Sequence, residues 1–546
     1  MYKTILKQKN FKLSTAFTNF KYFSSVAKYP FITLLDTLQI QDAELTKAKD
    51  KAQQNLHILE KLKEVCSQGG GEKGQHLHVV KNKKILPREK LKYIFDENSE
   101  TFELCLLAGL GMDYGDIPGG SVVCVVGRVF DRYCLVTVND GTLKGGTFFP
   151  ITVKKSLRAQ EISQINLLPH IYIVDSGGGF LPLQADSDFF ADKNHGGRGF
   201  YHQAVNSSNG IPQLALVCGS CTAGGAYVPM MSDNSGIVDK IGTIFLGGPP
   251  LVRAATGEVI SAEDLGGATV HCSESGCSDY FVSTEEEGFD MLRDVIATLD
   301  ISPEDSRKEI QPLYNINDLD IASGLEKINR QRLMGIISRL TDGSRFREFK
   351  HLYGQNLVTG YAFIDQICVG IVANCGPLTY KDGLKGSHFI QNSGPRDEFA
   401  AFLDESTADE NMMTLRGRAS MISALSTADV PKITLNIGGC LGDDNYTMCG
   451  PSFQPNFIFS WPGTETDLNL QMNSRESNSQ SKSEKKKSLS LFDFPPESSW
   501  FMSSHALNDG IITPSESRKA LSLCLRIFEQ KRRINCKKVS TPLMRF

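Results

Sequence analysis

Two stretches of this 546-residue chain, 219 residues apart, carry the same local pattern. The first reads Ile211-Pro212, an apolar run, Gly219-Ser220-Cys221, then Thr222-Ala223-Gly224-Gly225-Ala226-Tyr227. The second reads Val430-Pro431, an apolar run, Gly438-Gly439-Cys440, then Leu441-Gly442-Asp443-Asp444-Asn445-Tyr446. Pro, Gly, Cys and Tyr keep their offsets. A strand that ends in small residues and opens a helix, present twice, predicts two related α/β halves facing one site. The copies differ where Gly224 and Gly225 become Asp443 and Asp444, so the halves are not expected to do equal work.

The length accommodates at least two cores. A net charge of −4 excludes a general polyanion binder, and nucleic acid is not an expected partner. No apolar run of about 18 residues is present, so no membrane-spanning helix is expected. The 14 cysteines are scattered through apparent strands, as in a reducing compartment. The C-x-x-C of Cys218 to Cys221 sits where a dithiol would suit, but the glycines after it offer another reading. No metal site is expected, because Cys and His pairs at ligand spacing are lacking. His76 and His78 lie close together and read as surface residues.

Residues 1–30 contain no acid and carry Lys3, Lys7, Lys9, Lys12, Lys21 and Lys28 among hydroxyl residues, which predicts a mitochondrial transit peptide. Apolar spacing over 37–66 predicts an amphipathic helix, stopped by Gly69-Gly70-Gly71. Strands are expected at 122–126, 134–138, 171–174 and 214–217, with a helix over 151–165. The acidic, proline-containing residues 285–330 read as the linker between an N-terminal domain (31–300) and a C-terminal domain (301–546). Within the latter, the Ser, Asn and Lys tract 465–491 is too polar to bury a core and is expected to be disordered.

The repeated turn has a chemistry of its own. Backbone N–H groups at the start of a helix lack acceptors, and adjacent glycines let an oxygen approach them without a Cβ in the way. Gly224 and Gly225, with a second turn at Gly177-Gly178-Gly179, can thus hold an enolate or other oxyanion using backbone alone. Tight packing or a phosphate-binding turn would leave the same glycines.

Three runs resemble the carboxyltransferase (β) subunits of biotin-dependent acyl-CoA carboxylases: Asn139-Asp140-Gly141-Thr142-Leu143-Lys144-Gly145-Gly146-Thr147-Phe148-Phe149-Pro150, Val174 to Pro182, and Gly219 to Pro229. Leu181-Pro182 and Ser220-Cys221-Thr222 are most similar to the methylcrotonoyl-CoA branch of that family. The resemblance implies an α/β chain of two crotonase-like ββα-spiral domains in tandem, the second degenerate. It implies catalytic donors at Gly178, Gly179, Gly224 and Gly225, and acyl-CoA contacts at Lys144, Gly145, Gly146, Thr222, Ala223 and Ala226. Biotin, carried by a separate α subunit, would meet Gly442, Asp443, Asp444, Asn445 and Tyr446. A β hexamer, a place in the mitochondrial matrix, and carboxylation of 3-methylcrotonoyl-CoA in leucine breakdown are further implications.

This chain departs from that family in its second half. The family has Gly-Ala-Gly-Asn-Tyr at residues 442–446. The stretch Asn392–Asn411, where an apolar strand and a glycine turn are expected, is rich in acid. The polar tract follows Trp461-Pro462 in place of a Met-Gly-Gly segment. An active carboxyltransferase, an impaired paralogue that binds acyl-CoA or assembles without turnover, and a hydrolase or decarboxylase using the first site alone are the three readings left open.

Overall fold

The computed structural model describes residues 31–38, 40–184, 192–299, 301, 309–393, 399–405, 412–441, 444–467 and 490–534. The expected transit peptide, Gly442, Asp443 and most of the polar tract lie outside the described residues.

In chain order the first half contains β1 (Ile32–Thr33), α1 (Asp42–Ser67), α2 (Pro87–Ile94), β2 (Phe102–Leu104), β3 (Val122–Val129), β4 (Arg132–Asn139) and α3 (Pro150–Asn166). There follow β5 (His170–Ser176), α4 (Gly196–Ser208), β6 (Gln213–Thr222), β7 (Asn234–Val238), β8 (Thr243–Phe245), β9 (Tyr280–Val282) and α5 (Glu285–Ala297). The second half contains α6 (Arg330–Leu340), β10 (Arg345–Glu348), β11 (Leu357–Ile364), β12 (Ile367–Asn374), α7 (Tyr380–Ser393), β13 (Phe399–Glu405) and α8 (Met412–Thr427). It closes with β14 (Lys432–Leu441), α9 (Asp444–Thr447), β15 (Phe457–Ser460), β16 (Glu465–Asp467), β17 (Gly510–Ile511) and α10 (Ser517–Arg533).

Two sheets result. One runs β2-β3-β4-β5-β6-β7-β9 with β8 on β6; the other runs β1-β10-β11-β12-β13-β14-β15-β17 with β16 on β14. Each opens on an antiparallel hairpin and continues in parallel through helical crossovers. The duplication holds to the residue. β6 and β14 have limits 219 apart, 213 against 432 and 222 against 441. Both carry a register shift at the same point, after the pair Val174–Val217 in one and Asp404–Asn436 in the other.

The hairpins repeat too. Phe130-Asp131 and Asp365-Gln366 are two-residue turns with both φ values positive, the geometry that matches strand twist. Each turn's two N–H groups donate to one carboxylate, Asp96 in the first half and Asp342 in the second. Each carboxylate is held by an arginine from a distant helix, Arg293 at 3.0 Å and Arg518 at 2.6 Å.

The halves share one core. Leu104, Val122, Leu135 and Ile151 pack in a single buried cluster with Leu333, Phe346, Ile433, Phe457, Trp461 and Leu521. Arg158 of α3 reaches Asp509 beside β17 at 2.8 Å, and Gln530 of α10 bonds both backbone groups of Tyr133. Each half also has a core of its own, around Phe289 in the first and Phe389 in the second. Strand β1, although N-terminal, pairs with β10 in the second sheet.

Three expectations need correction. The acid-rich 285–297 is a helix, not linker. Thr284 caps it by accepting from the Glu287 N–H, three glutamates suit its N-terminal dipole, and Phe289, Leu292 and Ile296 are fully buried. The acid-rich 392–411 does contain a strand: Phe399-Ala400-Ala401-Phe402-Leu403 places β13 in parallel between β12 and β14. The polar tract is ordered at its ends, where β16 pairs with β14 and Ser490 and Leu491 donate to Asp116.

The glycine stop of α1 also serves packing. A Cβ on Gly70 would lie 2.0 Å from the Thr142 carbonyl oxygen, so only glycine lets this segment brace the turn after β4.

Candidate active site

Strands β4, β5 and β6 run parallel or adjacent and end at the same edge, so the turns that follow them meet. The register shift between β5 and β6 is a bulge that re-aims the last residues of each strand. The three segments singled out in the sequence come together there. Gly177 donates to the Gly145 carbonyl at 3.0 Å, and Phe148 donates to the Gly178 carbonyl at 2.8 Å. A Cβ on Gly178 would sit 3.1 Å from the Thr222 oxygen and 3.3 Å from the Ala223 Cβ.

Lys144, Gly145 and Gly146 form a consecutive left-handed run, with φ of 50°, 66° and 67°. A Cβ on Gly146 would be 2.0 Å from the Asp175 carbonyl oxygen, so this glycine is fixed by packing. Lys144 itself is exposed. On the other side, Thr222 ends β6, and Ala223–Ala226 is a 3₁₀ turn with Ala223 in the left-handed region at φ 52°. The Cys221 thiol donates to the Gly225 carbonyl at 3.1 Å, and Ala226 is buried beneath the turn.

The four expected catalytic glycines differ in what they offer. The Gly178 N–H is aimed at Ser176 Oγ at 3.2 Å, and its φ of 85° is the reason for glycine there. The Gly179 N–H has no acceptor among the described residues, and Gly179 lines a cavity of about 450 Å³. Gly224 lies in the opening turn of the 3₁₀ segment, where N–H groups lack a partner within the helix and no side chain caps them. A Cβ on Gly224 would meet only Phe200 Cζ at 3.8 Å, so packing does not demand glycine there. Gly225 is buried against Ser176, where a Cβ would lie 3.5 Å from its Cβ and Oγ. Gly179 and Gly224 are thus the open donors on the cavity wall.

The cavity runs between the sheet and helices α3 and α4. Phe148, Val153, Leu157, Phe200 and Val228 make it apolar, and Gly196, Gly197 and Gly199 widen it. Its inner end holds Gln160, His170 and Tyr172. His170 stacks on Tyr172 with centroids 4.0 Å apart, and its Nε2 lies 2.7 Å from Thr137 Oγ1.

Burial pushes the His170 pKa from 6.5 down to about 3. The unfolded chain therefore binds more protons below about pH 6.5, and stability falls as pH drops from there toward 3. Between pH 6.5 and 5 this residue alone should cost about 2 kcal/mol. His170→Gln is expected to shrink the difference in thermal stability between pH 7 and pH 5. An unaltered difference would assign the acid limb to His78, His202 or His505, whose pKa values burial also lowers.

Other cysteine and histidine readings resolve simply. Cys218 and Cys221 are both buried, and burial pushes their thiols far up, which does not suit a reactive dithiol. His78 is not a surface residue. It is 2 % exposed, with Nε2 3.0 Å from the Ile85 carbonyl, because the glycine-rich segment before it folds over the turn after β4.

In the second half, β14 and β16 reproduce the pairing of β6 and β8. Asp444 opens α9, Asn445 lies against Gly450, and Tyr446 is 40 % exposed. The strand frame is retained among the described residues.

Two crotonase-like units packed across a shared core, the first of them presenting its strand-end turns to an apolar cavity, define the class: an acyl-thioester enzyme of the paired carboxyltransferase type. The chain matches the carboxyl transferase domain family over residues 78–541 and belongs to that family. It is 41 % identical over 489 residues to the mitochondrial methylcrotonoyl-CoA carboxylase beta chain of Arabidopsis thaliana, covering 84 % of this chain and 83 % of that one. It is 39 % identical over 542 residues to the corresponding chain of Dictyostelium discoideum, covering 94 % and 91 %. Among solved structures, the beta subunit of P. aeruginosa geranyl-CoA carboxylase superposes with a TM-score of 0.82 at 28 % identity, over 94 % of this chain and all of that one.

Proposed function

We propose that this chain is the carboxyltransferase subunit that carboxylates 3-methylcrotonoyl-CoA to 3-methylglutaconyl-CoA. The observation that carries the reading is the cavity wall formed by Gly179 and Gly224, whose N–H groups have no acceptor among the described residues, with open space where a Cβ on Gly224 would sit. Loss of a proton from the methyl group conjugated with that thioester drives charge onto its oxygen. Two N–H donors fixed by the bulged strand ends stabilise that charge without reorganising. The apolar lining seats the branched acyl group, and the exposed Lys144 suits an anionic part of the coenzyme.

Biotin on a separate alpha subunit would supply the activated carboxyl group. The turn sequence at 442–446 suits it poorly, because it carries two aspartates whose negative charge opposes an incoming oxyanion, although the strand frame around them suits a second pocket. The acyl-CoA side is thus the better furnished half. The relatives' designation as beta chains supports assembly of this chain with an alpha partner, and the family resemblance implies assembly with further copies of itself. Their mitochondrial location agrees with the basic, acid-free residues 1–30. Recovery of the mature chain from mitochondria with an intact N-terminus would reject that segment as a cleaved signal.

A longer branched acyl group is the second reading. A Cβ on Gly197 would have nothing within 4 Å, and one on Gly199 only Gln160 Oε1 at 3.8 Å, so the cavity has more room than a five-carbon acyl group fills. The test is bicarbonate fixation by this chain co-expressed with its alpha partner, with 3-methylcrotonoyl-CoA and geranyl-CoA as alternative acceptors. Turnover with the former above an alpha-only control supports the proposal. Turnover with the latter alone selects the second reading. Co-purification with alpha and acyl-CoA binding without turnover would reject both in favour of an assembly role.

A further inference from the structure

We infer that the buried ion pair between Lys84 and Asp175 sets the positions of the two donor turns, which makes Lys84 a positioning residue for the acyl-side chemistry. The inference rests on the acyl-thioester reading of the cavity. Asp175 faces the bulge: it is the one residue between Val174, paired to Val217, and Ser176, paired to Cys221, while residues 218–220 of β6 make the excursion. It immediately precedes the Ser176–Gly179 turn, so its backbone direction determines where the Gly179 N–H points.

Its carboxylate is wedged where three chain segments converge. A Cβ on Gly219 of β6 would lie 2.0 Å from Oδ1, and one on Gly141 would lie 2.5 Å from Oδ2. Asp175 thus fills the gap that the bulge opens between the two strand ends. Both of its oxygens accept from Lys84 Nζ at 2.9 Å. The two side chains are 6 % and 13 % exposed.

Lys84 belongs to neither sheet. It arrives on the segment before α2, and that segment is fixed in turn. The Ile85 N–H donates to Glu285 Oε2 at 2.7 Å, and Glu285 pairs with the buried Lys90. His78 closes the segment through the Ile85 carbonyl. The result is a neutral set of four charges, Lys84, Lys90, Asp175 and Glu285, beneath the site and away from the cavity. None lines the cavity, so none is suited to touch substrate. A carboxylate stripped of its ammonium partner cannot stay buried unpaired. It would turn toward water and carry the Ser176–Gly179 turn with it. Displacement of catalytic groups by about 1 Å can cost about a hundredfold in rate.

The experiment uses the full chain with its alpha partner. Lys84→Met is expected to lower kcat about 30- to 100-fold while KM for the acyl-CoA stays within about threefold, since the apolar seat is untouched. Lys84→Arg, which keeps the charge, should recover most of kcat. A kcat for Lys84→Met within about threefold of the parent, or a loss confined to KM, would overturn the inference. Should Lys84→Met fail to fold, the neutral pair Lys84→Met/Asp175→Asn removes the unpaired charge but leaves the Ser176–Gly179 turn without its two-point tether to Lys84, and should remain slow; parental kcat in that variant would equally overturn the inference. Calorimetric titration with the acyl-CoA separates the two levels. A parent chain that binds no acyl-CoA rejects the reading of the cavity, whereas binding with an unaffected kcat in Lys84→Met rejects only the positioning role.

Discussion

Gly224→Val should lower kcat/KM about 10²- to 10³-fold and leave the protein folded. The reason lies in how this glycine is surrounded. Its backbone is not in the left-handed region, and a Cβ there would meet nothing nearer than Phe200 Cζ at 3.8 Å. A branched side chain would project into the cavity and occupy the approach to the Gly179 and Gly224 N–H groups. Substrate would lose its donors, while the free chain would lose no contact. Gly178→Ala makes the contrast within the same site. There φ is 85° and the Thr222 oxygen would be 3.1 Å away, so the substitution should cost about 1–2 kcal/mol of stability as well as activity. Steady-state kinetics with a thermal melt on each variant checks both statements. Gly224→Val with a kcat/KM within about threefold of the parent would remove Gly224 from the site.

These two glycines also mark what the sequence disclosed and what it hid. The adjacent pair Gly224-Gly225 reads as one motif, yet the fold gives its members different work: both line the cavity, but Gly225 packs on Ser176 while Gly224 has open space around it. Spacing could identify the turn but not which N–H group stays open. The 219-residue repeat was legible because Pro, Gly, Cys and Tyr hold strand-end geometry locally. The hairpin repeat was not, since Asp96 and Asp342 cap turns more than twenty residues away in sequence, and nothing nearby announces the pairing. Strand β13 was concealed because its apolar core is only Phe399 to Leu403, flanked by acids that mask the run in any window. Helix α5 was misread as linker because the three glutamates of its first turn resemble a solvated segment; its apolar stripe, Phe289, Leu292 and Ile296, was the signal available. Lys84 offers no sequence signal at all. Its partner lies 91 positions away, and only the convergence of three strand ends on Asp175 reveals it.

Restoring the family's Gly-Ala-Gly pattern in the second half, by Asp443→Ala with Asp444→Gly, is expected to raise turnover about a hundredfold or more. The frame for a second pocket is already present. β14 has the length, the bulge and the edge pairing of β6, and α9 opens at Asp444 as the 3₁₀ turn opens after β6. What differs is charge. An aspartate suits the start of a helix for its own sake, but it competes with any external oxygen that must bind there. One unit charge at about 5 Å with an effective dielectric near 20 opposes an incoming oxyanion by about 3 kcal/mol. That is roughly a hundredfold in rate. The gain should appear in kcat, with KM for the acyl-CoA unchanged, because the acyl cavity lies in the other half. A rise confined to the double variant would mean that either aspartate alone excludes the oxygen. Turnover that stays at the parental level would show that the carboxyl donor is held elsewhere, and that the aspartates belong to the helix start rather than to the site.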